Sequence, residues 1–416
     1  MFFLYQAILT LILLISPLVI IYRLYKNKED KQRFIEKFSF NTKKKINGKL
    51  IWFHGASVGE ILSIIPLIKY YDKKKSIKQI LITSSTLSSL KVLKKFKFKK
   101  SIHQFYPIDH FLFVDKFLKY WKPSAAIFID SEIWPYMFKR IDDKNIPLIL
   151  LNARITEKTF KRWKLFKNFS KLVFDKIRIA FPQNLDTKFF LERLNFKRFK
   201  LIGNLKFSEN HKENSGKLSK NLKSELMKKN IWVASSTHEK EELFCVKAHI
   251  QLKKKLKNLV TVIIPRHIHR AKSIITEIEK LNLKVVCHSS KPTKLKNVDI
   301  YIVDTFGETE KFHKIACSVF LGGSIIKRGG QNPLEAARFG AKILHGPNVD
   351  NFKDVYKLLN NLNTSKKIKS INELTSSISF KKNMNIGKKI KIIGEKILKE
   401  TIRELDSIIN NEVKKT

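Results

Sequence analysis

A chain of 416 residues, 43% of them hydrophobic, is long enough to bury two separate cores, which excludes a disordered protein. Subtracting 36 acidic from 83 basic residues leaves +47, a charge that reads either as a match for an anionic partner such as an acidic membrane, a phosphorylated substrate or nucleic acid, or as a compositional drift shared with the abundant Ile, Asn and Phe. The lysines are spread over nearly every segment and form no concentrated basic face interleaved with aromatics, which argues against nucleic acid.

Residues 1–22, MFFLYQAILTLILLISPLVIIY, carry no charge before Arg23, and a basic stretch follows. A helix of about 22 residues rises roughly 33 Å, enough to cross a bilayer core. No basic segment precedes the apolar run and no small-x-small cleavage site follows it, so the run reads as an anchor and not a signal peptide. Positive charge behind it keeps the body on the cytoplasmic side. Pro17 and the polar Gln6, Thr10 and Ser16 leave an interface-lying helix open beside a spanning one.

Short β-rich runs then alternate with amphipathic stretches. In the first half they fall at 49–55, 79–85, 125–130, 146–152, 177–183 and 199–205; in the second at 231–237, 259–266, 283–288, 298–304, 316–323 and 341–346. Each set predicts an open parallel α/β sheet. A polar, lysine-rich segment at 208–221 separates them. The expected organisation is an anchor at 1–25, one domain at 26–207, a linker at 208–221, a second domain at 222–387 and a C-terminal helix at 388–416, the last from the spacing of Ile390, Ile393, Ile397 and Ile402. Cys245, Cys287 and Cys317 lie far apart and encode neither a zinc ribbon nor a disulfide framework, as fits a reducing cytoplasm.

Ligand sites in such sheets gather at the carboxyl ends of the strands. After the first strand, HGASVGE (54–60) contains Ser57-x-x-Glu60, which reads either as a helix capping box or as a carboxylate placed to take a proton. IDSEIWP (129–135) offers Asp130 and Glu132, and GNLKF (203–207) offers Lys206. STHEKEE (236–242), PRHIHR (265–270) and DTFGE (304–308) follow strands of the second half. Arg266 suits a phosphate, because its planar fork makes paired charge-assisted hydrogen bonds. His238, His267 and His269 lack partners at zinc spacing, and no Asp-x-Asp is present, so no metal is expected. No Walker P-loop and no G-x-S-x-G elbow occurs. In LGGSIIKRGGQNPLEAARFGAKILHG (321–346) a strand runs into glycines and then Asn332, Pro333 and Glu335 open a helix. That is a nucleotide-sugar site in outline, with Gly329 and Gly330 making room for the ligand, or else a glycine-rich crossover with Asn332 as cap.

In chain order HGASVGE, IDSEIWP, NARIT (152–156), GNLKF, STHEKEE, PRHIHR, DTFGE, GGSIIKRGGQNPLEA and HGPNVDNFKD (345–354) resemble the 3-deoxy-D-manno-octulosonic acid (Kdo) transferases of lipopolysaccharide synthesis, over the chain from the anchor to about Asp354. The resemblance implies an α/β fold of GT-B type, with two Rossmann-like domains facing a central cleft. The first would hold the acceptor and the second the donor, CMP-Kdo. It implies an inverting glycosyltransferase without cofactor or metal, which moves Kdo onto the phosphorylated lipid A precursor (lipid IV-A) at the cytoplasmic face of the inner membrane, with no nucleic acid as partner. The number of Kdo residues added is left open. By position, Glu60 matches the family's general base, while Asp130 and Lys206 match residues that stabilise the transition state. The family usually has Glu where Asp130 stands, so Glu132 remains an alternative. Pro265, Arg266, Phe306, Gly307, Glu308, Asn332, Pro333, Leu334 and Glu335 match segments that bind CMP. Gln331 and Lys240 stand where histidine and glycine are frequent, and neither is assigned a role.

Overall fold

The computed structural model describes residues 1–208 and 216–411. It divides into two compact units, Met1–Glu209 with Gly394–Thr416, and Asn210–Ile393. The first unit holds six parallel strands: β1 (Leu50–His54), β2 (Gln79–Ser84), β3 (Ser101–Phe105), β4 (Ala125–Ile129), β5 (Leu148–Ala153) and β6 (Ile179–Pro182), in the order β3-β2-β1-β4-β5-β6. Strands β1, β2, β4 and β5 are buried throughout, which is why LIWFH or AAIFI reads as a continuous apolar run and not as an alternation. Trp52, Phe117, Trp121, Phe128 and Phe138 fill one face. Trp52 keeps its indole N–H satisfied on Thr83 Oγ1 at 2.8 Å, as a buried donor requires.

The second unit repeats the plan with β7 (Asn230–Thr237), β8 (Leu259–Pro265), β9 (Val285–Cys287), β10 (Ile300–Ile302), β11 (Ser318–Leu321), β12 (Lys342–His345) and β13 (Ser365–Lys367), all parallel, in the order β13-β12-β11-β7-β8-β10-β9. Strand order reverses between β1 and β4 in one sheet and between β7 and β11 in the other. In sheets of this kind the loops that leave the strands diverge at such a reversal, which is where a ligand crevice forms.

Two strands were not expected from the sequence. β3 is a sheet edge whose first three residues are only half-buried, and β13 is an edge strand with two exposed lysines, so neither carries an apolar signature. The strand expected at 199–205 does not form. Gly203 takes a left-handed φ of +121°, only the bridge Ala180–Phe199 is made, and the chain closes into a 3-10 turn at Leu205–Ser208. Of the segment 208–221, residues 209–215 lie outside the described residues, and Ser219 caps a helix at Lys220–Met227.

Helix α1 (Phe2–Tyr25) is long and apolar enough to cross a membrane. α2 (Val58–Lys73) follows β1. The last helix starts at Met384, before the expected 388, and runs to Asn411. From Gly394 it packs on the first unit, where Asp406 meets Tyr70 (2.6 Å) and Lys74 (2.7 Å), and Glu404 meets Lys200 (2.9 Å).

Candidate active site

Between β1 and α2 the capping box forms. Glu60 N reaches Ser57 Oγ at 3.4 Å, and the Glu60 carboxylate accepts from Ala56 N (2.7 Å) and Ser57 N (3.4 Å). The Ser57 hydroxyl donates to Glu60 Oε1 at 2.6 Å. The capping and the catalytic readings of this motif are therefore compatible: the bonds that satisfy the helix amides also fix where the carboxylate points. The site around it is open, since a Cβ on Gly59 would meet no atom within 4 Å.

β4 ends at Ile129, and Asp130 turns the chain with a left-handed φ of +61°, a conformation that Asp tolerates better than most residues. Its side chain is buried, Oδ1 has no partner, and Oδ2 lies 3.9 Å from Lys206 Nζ. Burial pushes the Asp130 carboxyl up to about 6; Lys206 and Arg154 pull it down, while Glu60 and Glu132 push it further up. Glu60, Asp130, Glu132, Arg154 and Lys206 thus share one field, although the Glu132 carboxylate is bonded on another side. Glu132 goes elsewhere, to His54 Nε2 (3.2 Å) and Trp134 Nε1 (3.0 Å), with His54 itself held by Thr83 Oγ1 (2.9 Å) and stacked on Tyr106 at 3.8 Å. The left-handed turn at Asp130 separates the two acids, which an extended strand would put on one face.

Lys206 sits on the turn after Gly203, and Asn152 at the end of β5 sets that turn. Asn152 is also left-handed (φ +53°), and its Oδ1 accepts from Leu205 N at 2.9 Å. Lys206 N in turn donates to Asn204 Oδ1 at 2.9 Å. On the other side the last helix comes in backbone to backbone: a Cβ on Gly394 would strike the Phe207 carbonyl, and Ile397 packs on Gly203.

In the second unit, Glu241 organises the turn after β11. This buried carboxylate accepts from the amides of Gly323 (2.7 Å), Ser324 (3.1 Å), Ile325 (2.9 Å) and His238 (3.0 Å). Such a ring of amides would otherwise cradle an anion. Its neighbour Glu242 is raised by burial and paired with Arg270 at 2.8 Å. Two of the three acids of STHEKEE, Glu241 and Glu242, are therefore internal, while Glu239 is exposed. His238 lies beside this turn, 3.5 Å from where a Cβ on Gly323 would sit, with Nε2 unpartnered and its pKa lowered by burial.

Pro265 ends β8 buried, and Arg266 emerges exposed beyond it. The loop after β10 runs beside them, because Val303 N donates to Ile263 O at 2.9 Å. Phe306 on that loop is 85% exposed, a large apolar ring with nothing over it. Gly307 is left-handed at φ +85° with open space above it, and Glu308 is held by Lys311 at 2.7 Å.

The glycine-rich segment differs from its expectation. The helix that follows is only Leu334–Ala337, and Asn332 precedes it as a local cap, its Oδ1 accepting from Leu334 N at 3.1 Å. Asn332 and Glu335 therefore do not share a helical turn; Pro333 and Leu334 lie buried between them and Glu335 is half-buried. Gly329 and Gly330, expected to make room for a ligand, are left-handed and pressed against Asn351 and Val349, where a side chain would collide. The Gly330 amide donates to Gly323 O at 2.9 Å and so is not offered outward. Arg154, Asn152, Glu241 and His238 were not singled out from the sequence as site residues. All four lay in motifs already quoted, but the contacts of Asn152 with Leu205 and of Glu241 with the turn after β11 join residues 53 to 84 apart, which spacing cannot show. Among the described residues no group of three or more His, Cys, Asp or Glu is arranged to hold a metal ion.

Comparison with known proteins adds to this geometry. A family profile described as 3-deoxy-D-manno-octulosonic-acid transferase (kdotransferase) matches residues 32–209. The chain is 34% identical to the 3-deoxy-D-manno-octulosonic acid transferase of Rickettsia bellii over 95% of its own length and 94% of that protein. It is 37% identical to the Rickettsia prowazekii protein of the same name, over 84% and 76%. Among solved structures, a glycosyltransferase from Rickettsia africae shares the fold, with a TM-score of 0.56 at 12% identity, covering 88% of this chain and 100% of that one.

Proposed function

The chain belongs to the 3-deoxy-D-manno-octulosonic acid transferase family, glycosyltransferases of lipopolysaccharide biosynthesis with a GT-B-type fold, and from that premise we propose that it moves Kdo from CMP-Kdo onto lipid IV-A with inversion at the sugar carbon C2. The observation that carries this reading is the grouping of Glu60, Asp130 and Lys206 at the carboxyl edge of the first sheet. Glu60 accepts the proton of the attacking glucosamine hydroxyl as its oxygen bonds to C2 and the C2–phosphate bond breaks, so the electron pair leaves on CMP. C2 is cation-like midway through this step. Asp130, ionised above about pH 6, faces that charge, and Lys206 keeps it ionised.

The donor belongs to the second unit. Glu241 already fills the amide ring after β11, and Arg266, exposed just beyond β8, takes the departing phosphate, with Pro265 setting its origin. Phe306 offers a ring face for the cytosine base, and Gly307, Glu308 and the Asn332–Pro333–Leu334–Glu335 turn complete the nucleotide contacts. No step is routed through a metal. Residues 26–207 form the acceptor domain and 222–387 the donor domain. α1 keeps both at the cytoplasmic face of the inner membrane, where a phosphorylated lipid acceptor resides and a charge of +47 is an advantage.

Thermal unfolding of the purified chain tests the donor assignment. CMP at about 100 times its Kd should stabilise by about 2.7 kcal/mol, and UDP at the same concentration should not. A shift with UDP alone would move the chain to another class of donor.

A further inference from the structure

Helix α1 and the segment after it meet the same stretch of the first unit. Near the N-terminus Tyr5 Oη donates to Asp109 Oδ2 (2.8 Å), Gln6 Nε2 to Asp109 O (3.1 Å), Phe111 N to Gln6 Oε1 (2.9 Å), and Thr10 Oγ1 meets His110 Nε2 (3.0 Å). Phe2 and Tyr5 also pack on Phe169, at 5.4 and 5.9 Å. Past the helix, Ile108 N donates to Lys37 O (2.9 Å), Ser39 Oγ to Phe113 O (2.7 Å), and Arg33 to His103 O (2.7 Å). Residues 5–10 and 37–39 are therefore both held at 108–113. A helix crossing the bilayer would separate its ends by about 30 Å of hydrocarbon and set them in opposite aqueous phases. With these contacts intact it cannot cross.

Nor does it dip end-on into one leaflet. Lys26, Lys28, Glu29, Asp30 and Lys31 follow at once, and buried Glu29 holds Arg23 (2.7 Å) and Lys37 (2.6 Å), so the C-terminal end must stay at the headgroup level. Lys26 lies over the rings of Tyr22 and Tyr25, the amphipathic pairing of an interface. Along its length Gln6 is buried and Phe2, Tyr5, Leu9, Leu13, Ser16 and Ile20 are half-buried, three or four apart, while Leu11, Leu14, Ile15 and Leu18 are more than half exposed. The exposed apolar surface continues onto the body at Phe111, which lines one groove with Phe2, Phe3 and Leu11 and is followed by exposed Leu112; elsewhere on this unit Leu165 is exposed among Lys158, Lys161 and Arg162.

We infer that α1 lies flat in the cytoplasmic leaflet with both ends on the cytoplasmic side, and that Phe111 and Leu112 enter the same leaflet. This rests on the membrane placement proposed above and replaces its spanning form. Full-length protein carrying a biotin-acceptor tag at either terminus is expressed with a cytoplasmic biotin ligase, and the membrane fraction is probed. Flat insertion predicts equal biotinylation at both ends; a protected N-terminal tag beside a modified C-terminal one would overturn it. In flotation with phosphatidylglycerol vesicles the wild type should float, and Phe111→Asp/Leu112→Asp should bind about tenfold more weakly. A wild type that stays down as a dimer would make the surface a protein interface and sink the membrane placement itself. Neither readout needs transferase activity, so the outcome is independent of the transfer chemistry.

Discussion

The switch points of the two sheets solve opposite problems. At the carboxyl edge of β1 and β4, Asp130 is left-handed, buried and short of a partner on Oδ1, with a lysine 3.9 Å away and two further carboxylates, Glu60 and Glu132, in its field. At the edge of β7 and β11, one buried carboxylate, Glu241, satisfies four amides, and the groups left exposed, Arg266 and Phe306, sit on neighbouring loops. On the proposed reading, the same topology leaves a buried, part-paired carboxylate where the bond is made, and a loop whose amides are already filled by a carboxylate where the nucleotide is held. Proteins keep such local cost where function requires it, and stability is gained when it is removed.

That contrast can be broken by mutation, taking the largest effect first. Glu60→Gln should lower kcat by about 10³-fold, the scale of a lost general base, while melting changes little because the amide oxygen still caps α2. Lys206→Met should cost about 10²-fold. It should also move the acid limb of the kcat profile: wild-type activity falls as pH drops through about 6, where Asp130 takes up a proton, and losing the cation raises that midpoint. An unmoved limb would detach Asp130 from Lys206. Arg266→Ala should weaken CMP binding by roughly 10- to 100-fold, as for a charge-assisted hydrogen bond, and Phe306→Ala by about tenfold, both read by titration calorimetry.

The smallest effect is on stability and has the opposite sign. The folded-state pKa of Asp130, about 6, lies above the unfolded value of 3.8, so the fold binds this proton more tightly than the unfolded chain does, and stability is lost as pH rises through that window. Asp130→Asn should therefore stabilise the protein above pH 6, by on the order of 1–3 kcal/mol, while activity falls. Urea melts at pH 5 and pH 7.5 would show it; a variant less stable than wild type at pH 7.5 would mean that the Lys206 pair outweighs burial.

The sheets were legible because their strands are buried on both faces and therefore read as unbroken apolar runs; β3 and β13, at the edges, were not. Ser57-x-x-Glu60 was legible as a cap from spacing alone, since i to i+3 geometry is local. What spacing could not show was the direction of Asp130 against Glu132, which a single left-handed residue decides, or the purpose of Gly329 and Gly330, which make room for Asn351 and Val349. Glu241 shows the same limit, since its amide partners on the turn after β11 are 82 to 84 residues away.

Mass spectrometry of the lipid after incubating the full chain with CMP-Kdo and lipid IV-A in detergent tests the proposed activity most directly. The wild type should add the mass of one or more Kdo residues, and Glu60→Gln, with CMP affinity unchanged, should leave the lipid unmodified over the same time. Unmodified lipid with the wild type, or equal product from Glu60→Gln, would contradict it.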